Sequence, residues 1–299
     1  MKSKVIRVKS SQIKGEPQEN ARGHVGEMLS AALKNLYDTE EPAAALKKIF
    51  PPKSRIGLKP NCAAGRKMSS SPIITMALID LLKFADIKEE DIYVWERSER
   101  ELKRTGYVIN RRGNGFRVVG NDSPGVGYGR NFSQFGTVGS LVTRVLTEMV
   151  DFNINLPVMK DHSIAGISGA LKNLYGAVHN PNKYHDYNCD PYAADLNSLP
   201  EIKDKNRLNI MDCFKIQYNA GPGYSSKYAI DSNMILVSDD PVALDVITTE
   251  MIDELRKEHG LDNLKDAGRY PSYLKTAADD KHKLGNCNRE LIGLIGVTV

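Results

Sequence analysis

The chain has 299 residues, 41 basic against 37 acidic and a net charge of +4, so it is long enough to bury a sizeable α/β core and only mildly cationic. That balance excludes the dense positive footprint of a dedicated nucleic-acid binder and leaves a slight attraction for anions. No apolar run approaches the roughly 18 residues that span a bilayer.

The N-terminus, Met1-Lys2-Ser3-Lys4-Val5-Ile6, carries no apolar signal region, and the chain as written reads as cytoplasmic. Four scattered cysteines, Cys62, Cys189, Cys213 and Cys287, form no CxxC pair. Reduced thiols are expected, with Cys213 buried in an apolar run and no iron–sulfur cluster of the chain's own.

In chain order, Lys4 to Val8 predicts a short strand, and Gly23 to Leu36 places Val25, Met28, Leu29, Ala32, Leu33 and Leu36 at helical spacing. A second helix over Glu41 to Phe50 stops at Pro51-Pro52. Arg55 to Leu58 is a strand closed by Lys59-Pro60-Asn61; Ser71 then caps a helix that opens on Pro72. Asp91 to Trp95 is a strand ending at Glu96, and Ser98-Glu99-Arg100-Glu101 fits a capping box. After a strand at Phe116 to Val119, Gly120 to Gly136 reads as a glycine-rich loop, and Leu141, Val142, Val145, Leu146 and Met149 predict a helix. Phe152 to Val158 is an apolar strand. It leads into Met159 to Asn180, where lysines, histidines and small residues crowd into about one strand-to-helix turn.

Asn180 to Leu199 is polar and reads as a long loop or lid. Strands follow at Arg207 to Phe214 and Met234 to Val237. Asp240 and Pro241 open a long helix to about Glu258, and Leu291 to Val297 is a last strand. The alternation predicts an α/β fold: a doubly wound, mainly parallel sheet with helices on both faces, as a single domain over 1–299 or as two lobes, 1–150 and 151–299, with the site between them. Ligands of such sheets lie beyond the strands' carboxyl ends, where the polar residues fall.

Three motifs occur in order: Lys59-Pro60-Asn61, Ser168-Gly169-Ala170-Leu171-Lys172-Asn173-Leu174-Tyr175-Gly176, and Asp239-Asp240-Pro241-Val242-Ala243-Leu244-Asp245. Together they resemble the uncharacterised family called domain of unknown function 362, over about residues 55 to 250. The resemblance implies an α/β fold and no settled reaction. Some relatives carry a ferredoxin-like cluster domain; this chain lacks the cysteine runs for one, so that redox hint does not transfer, and a redox partner protein is an expectation that rests on the family context alone. Others are exported with a twin-arginine leader, which makes export after leader removal the alternative to a cytoplasmic location.

The chemistry reads from the strand ends. Lys59, Asn61, Ser70, Gly169, Lys172 and Asn173 are the candidate substrate-binding residues. Lysines meet phosphate or carboxylate, the amides that start the Pro72 helix can assist, and glycines let backbone come close. His162, Lys160, Glu96 and Asp212 are the candidate catalytic residues, with His162 as proton carrier. Successive residues of a strand face opposite ways, so Lys160 and His162 share a side only if the strand continues, with Asp161 opposed. His179, His185 and Asp239 are the candidate ligands of a divalent metal, and Asp239 and Asp245 are free either to hold a cation or to orient Lys160. The leading functional reading is a small-molecule enzyme, redox or isomerase-like, acting on a small anionic substrate. The alternative is a non-catalytic carrier or accessory protein for an anionic ligand or metal.

Overall fold

The computed structural model describes residues 2–299, and its central strands are buried on both faces, as a sheet covered by helices requires. The strands are β1 (Ser3–Lys9), β2 (Ile56–Pro60), β3 (Ile92–Glu96), β4 (Arg117–Gly120), β5 (Tyr128–Phe135), β6 (Val138–Thr143), β7 (Phe152–Leu156), β8 (Val158–His162), β9 (Gly166–Ile167), β10 (Asn206–Gln217), β11 (Ala229–Ser238) and β12 (Ile292–Thr298). The main sheet runs β12-β1-β11-β10-β7-β2-β3-β4, with β8 beside β10 and β9 folded back on β8. Along that row only β11 is antiparallel to its neighbours. Strands of the two halves interleave, with β1 between β12 and β11 and β7 between β2 and β10. Residues 1–150 and 151–299 therefore share one sheet.

Helices cover both faces. On one side are α1 (Arg22–Tyr37), α2 (Pro42–Ile49), α3 (Pro72–Phe84) and α4 (Glu99–Thr105), packed over Ile6, Ile56, Leu58, Ile154, Ile210, Ile235 and Val237. On the other are α5 (Ala170–Asn173), α6 (Tyr192–Asn197), α7 (Pro200–Lys203), α8 (Pro241–Glu258) and α9 (Tyr273–Ala277). Within β11 the alternation is direct: Ile235 and Val237 join the first layer, and Met234 and Leu236 join the second. Ser71, Ser98 and Asp240 each accept a backbone N–H of the turn they begin. All four cysteines are free and Cys213 is buried. Among the described residues no helix is long and apolar enough to cross a membrane.

Three local expectations need correction. The stretch from Tyr128 to Thr143 is a β-hairpin, β5 and β6, and only Val145–Met149 is helical. Val138, Ser140 and Val142 are buried while Gly139 and Leu141 are half-buried, a strand's period rather than a helix's. The hairpin turns at Gly136-Thr137, where Gly136 has φ +53° and Asp195 accepts hydrogen bonds from both the amide and hydroxyl of Thr137 at 2.7 Å. The apolar run from Phe152 breaks at Pro157 into β7, which pairs with β2, and β8, which pairs with β10. The polar stretch after Asn180 is not all loop: it contains α6, and 3-10 turns at Pro181–Tyr184 and Tyr187–Cys189.

The second and third motifs meet beneath α5. Asp245, fully buried on α8, accepts from the amides of Ala170 (2.5 Å) and Leu171 (3.0 Å), which begin α5. Two strong hydrogen bonds hold the carboxylate there, yet burial raises its pKa to about 7. Gly169 leaves room for it, since a Cβ there would clash with Asp245 Oδ1. Gly169→Ala is therefore expected to destabilise the fold by about 2–3 kcal/mol, as overpacked cores do. A urea denaturation midpoint unchanged from wild type would refute this account of the glycine.

Candidate functional site

A cavity of about 200 Å3 opens beyond the carboxyl ends of β2, β3 and β8. Eight of the candidate residues line it: Lys59, Asn61, Glu96, Lys160, His162, Lys172, Asn173 and, from the metal set, His185. Arg97, Glu101, Ser168, Tyr175, Pro181, Asn182 and Pro222 complete most of the wall.

The frame of the site is a chain of buried amides. Asn173 Oδ1 accepts from Lys59 Nζ (3.2 Å) and Asn61 Nδ2 (3.1 Å), while its Nδ2 donates to the Lys59 carbonyl (3.2 Å) and to Asn155 Oδ1 (2.8 Å). Asn155 in turn donates to Asn209 Oδ1 and to the Ala170 carbonyl. The ends of β2 and β7 and the helix α5 are thus fixed to one another by side-chain amides. Lys59 Nζ also lies 2.8 Å from Glu96 Oε2, a buried ion pair whose carboxylate further accepts from the amides of Cys62 and Arg97. Gly176 packs over this pair, and a Cβ there would come within 2.9 Å of Glu96 Oε1. The remaining acid of the wall, Glu101, pairs with Arg97.

Two lysines have no such partner. Lys160 is 1% exposed, and its Nζ donates to Asn61 Oδ1 (3.0 Å) and the Met68 carbonyl (3.1 Å), both neutral. Lys172 is 8% exposed; its Nζ lies 2.8 Å from His185 Nε2 and 3.7 Å from the centre of the Tyr175 ring. Burial lowers the pKa of each to about 8.

β8 runs through to His162, so Lys160 and His162 share the cavity face and Asp161 points away. His162 Nδ1 accepts from the amides of Ile164 and Ala165, both at 3.2 Å, which places its proton on Nε2. Burial, reinforced by the charges of Lys172 and Lys160, lowers its pKa to about 3. The expected proton carrier is instead a fixed neutral donor at neutral pH. His185 is oriented the other way: Nδ1 faces the Asn182 carbonyl at 3.2 Å, leaving Nε2 to accept from Lys172.

Other candidates lie outside the cavity. Asp212 is buried beneath α3, where it accepts from the amides of Ser71 (2.7 Å) and Phe214 (3.0 Å); burial raises its pKa to about 6. It faces the α3 layer because it shares the parity of Ile210 and Phe214 along β10. It also occupies the helix start that was expected to assist an anion. Ser70 bonds the Leu156 carbonyl and the Asn61 amide, holding the exit of β2. Asp161 accepts from Arg269 (2.8 Å) and the Gly221 amide (2.9 Å), tying the turn that carries Pro222.

The metal set does not assemble. His179 is exposed against the Tyr128 ring, and Asp239 is exposed past the end of antiparallel β11, next to Asp240, which holds Ser3. Among the described residues no group of three or more His, Cys, Asp and Glu side chains is placed to hold a metal ion.

Sequence reasoning missed Arg97, Ser168, Tyr175 and Asn155. The last had a signal: Asn153 and Asn155 alternate with apolar residues in Phe152-Asn153-Ile154-Asn155-Leu156, which puts both amides on one face.

Fold and site define an α/β protein with a lysine-rich polar cavity at the carboxyl edge of a mainly parallel sheet. The chain belongs to the family described as Domain of unknown function (DUF362), whose model matches residues 56–250 and so takes in all three motifs. No curated protein matches. Among solved structures, the crystal structure of a protein from Thermotoga maritima is similar at 13% identity with a TM-score of 0.41, covering 83% of this chain and 61% of that one. The present chain spans less than two thirds of that protein's length.

The buried lysines make stability depend on pH. Their folded pKa values, about 8, lie below the unfolded value near 10.4, so between these limits the unfolded chain binds more protons and stability rises with pH. We expect unfolding free energy to increase from pH 8 to pH 10, and the increase to shrink in Lys160→Met. An identical pH slope in the variant, measured by chemical denaturation, would contradict the assignment.

Proposed function

We propose that the protein is a small-molecule enzyme that binds an anionic substrate between Lys160 and Lys172 and works by proton transfer, as an isomerase does. One observation carries the reading. Each cation of the cavity wall has a carboxylate partner except these two, whose ammonium groups hydrogen-bond only neutral groups. An ammonium removed from water without a counter-charge costs several kcal/mol, and an anionic ligand offsets that cost. Lys160, on the cavity floor, is the anchor. Lys172 is the proton carrier, because an amine with a pKa of about 8 exchanges a proton readily near neutral pH. His162 Nε2–H donates to the ligand, and Lys59, bound to Glu96, shapes the wall.

A second reading, a carrier that holds the anion unchanged, is favoured by the tied state of two other acid–base groups. Glu96 accepts from Lys59, Cys62 and Arg97, and His162 accepts two amides.

The readings separate in deuterated water. An enzyme incorporates deuterium at carbon next to the bound carboxylate, visible by proton NMR, and Lys172→Met stops the incorporation. A carrier binds with no incorporation at all. In either case Lys160→Met is expected to weaken anion binding about tenfold or more, the value of a charge-assisted hydrogen bond. Unchanged affinity in a calorimetric titration of that variant would rule out the anchor.

A further inference from the structure

Resting on the reading just given, we infer that the ligand is a short dicarboxylate, one carboxylate held at Lys160 and the other at Lys172, rather than a phosphoryl compound. The first ground is the supply of donors. An ammonium has three N–H bonds. Lys160 spends two on Asn61 Oδ1 and the Met68 carbonyl and keeps one. Lys172 spends one on His185 Nε2 and lies 3.7 Å from the centre of the Tyr175 ring, which leaves at least one. Each ammonium thus keeps a donor for one carboxylate, and His162 Nε2–H stands with them on the cavity wall. Separate anchors hold the two ammonium groups, on β8 and on α5, and the His162 and His185 rings stand 5.8 Å apart beside them.

The second ground is the use already made of the backbone amides. Phosphoryl sites draw on free amides at helix starts and on forked arginines. Here Asp245 takes the first two amides of α5, and Asp212 takes the amide of Ser71 at the head of α3. Glu96 takes those of Cys62 and Arg97, and the Arg97 guanidinium is paired with Glu101. With those amides engaged and the guanidinium paired, the cations left without a carboxylate are the Lys160 and Lys172 ammonium groups, two separated point charges that suit two separated carboxylates.

The third ground is size. A cavity of about 200 Å3 holds the volume of about seven waters, enough for a dicarboxylate of about four or five carbons. Tyr175, Pro181 and Pro222 give its methylene chain apolar wall.

Calorimetric titration of the full chain at pH 7 with malonate, succinate, glutarate, succinamate and inorganic phosphate tests the class. Succinate or glutarate should bind best, and succinamate, which lacks one carboxylate, about tenfold or more weaker. In Lys172→Met and in Lys160→Met, each checked for an unchanged circular dichroism spectrum, succinate and succinamate should bind alike. If a variant fails to fold, the wild-type ranking of succinate over succinamate and phosphate decides the matter alone. Phosphate or succinamate binding as tightly as the best dicarboxylate overturns the class and leaves the anion site standing. Failure of every anion to bind the folded protein overturns both.

Discussion

Four hydrogen bonds converge on the side-chain amide of Asn173, and the geometry of the cavity follows from them. Through them the end of β2 is locked to β7 and α5, and Asn61 is turned so that its carbonyl oxygen meets Lys160. A buried amide network of this kind is stable only when every member is satisfied, and each amide here has its donors and acceptors engaged. Loss of one member would leave the others unpaired in a low-dielectric interior. Lys59 and Lys160 are therefore tied to a buried polar frame at the strand ends.

The three family motifs form one mechanical unit. Lys59-Pro60-Asn61 supplies a cation and an amide, the central motif supplies Lys172 and Asn173, and Asp245 of the last motif anchors the helix that bears them. Gly169 and Gly176 are the contact points, one above Asp245 and one above the Lys59–Glu96 pair. None of these contacts is close in sequence, so the motifs are joined only by the fold. Charge is distributed with the same economy: the carboxyl groups of Asp212 and Asp245 serve backbone amides, Glu96 serves Lys59, and Lys160 and Lys172 are left without a carboxylate in hydrogen-bond contact.

Much of this was legible in the chain. Caps at Ser71, Ser98 and Asp240, the strand–helix alternation and the polar strand ends point to the carboxyl edge of the sheet, where the cavity lies. Failures came where two periods fit the same letters. Leu141, Val142, Val145, Leu146 and Met149 match a helix, but the residues just before them, with Gly136 at a two-residue turn, make a hairpin. Roles were harder than places. Asp212 points its side chain toward α3 from within β10, and His162 is held neutral by burial beside Lys172 and Lys160, while two backbone amides that no spacing rule reveals fix its tautomer. Partner identity, not residue type, decides what an ionisable group does, and partners are set by the tertiary structure.

The interleaved sheet has a consequence for how the chain acquires its shape. β1 hydrogen-bonds only to β11 and β12, with Ile6 opposite Val237 and Ile295. β1 therefore has no sheet partner until more than two hundred further residues have been added. At ribosomal speeds that wait is on the order of ten seconds or longer. Throughout it Val5, Ile6 and Val8, all destined for the interior, stay without their sheet neighbours. Such long-range pairing is slow by nature. The nascent chain thus exposes an adhesive apolar strand early, and protection by chaperones during synthesis would matter more for this protein than for one whose sheet grows strand by strand.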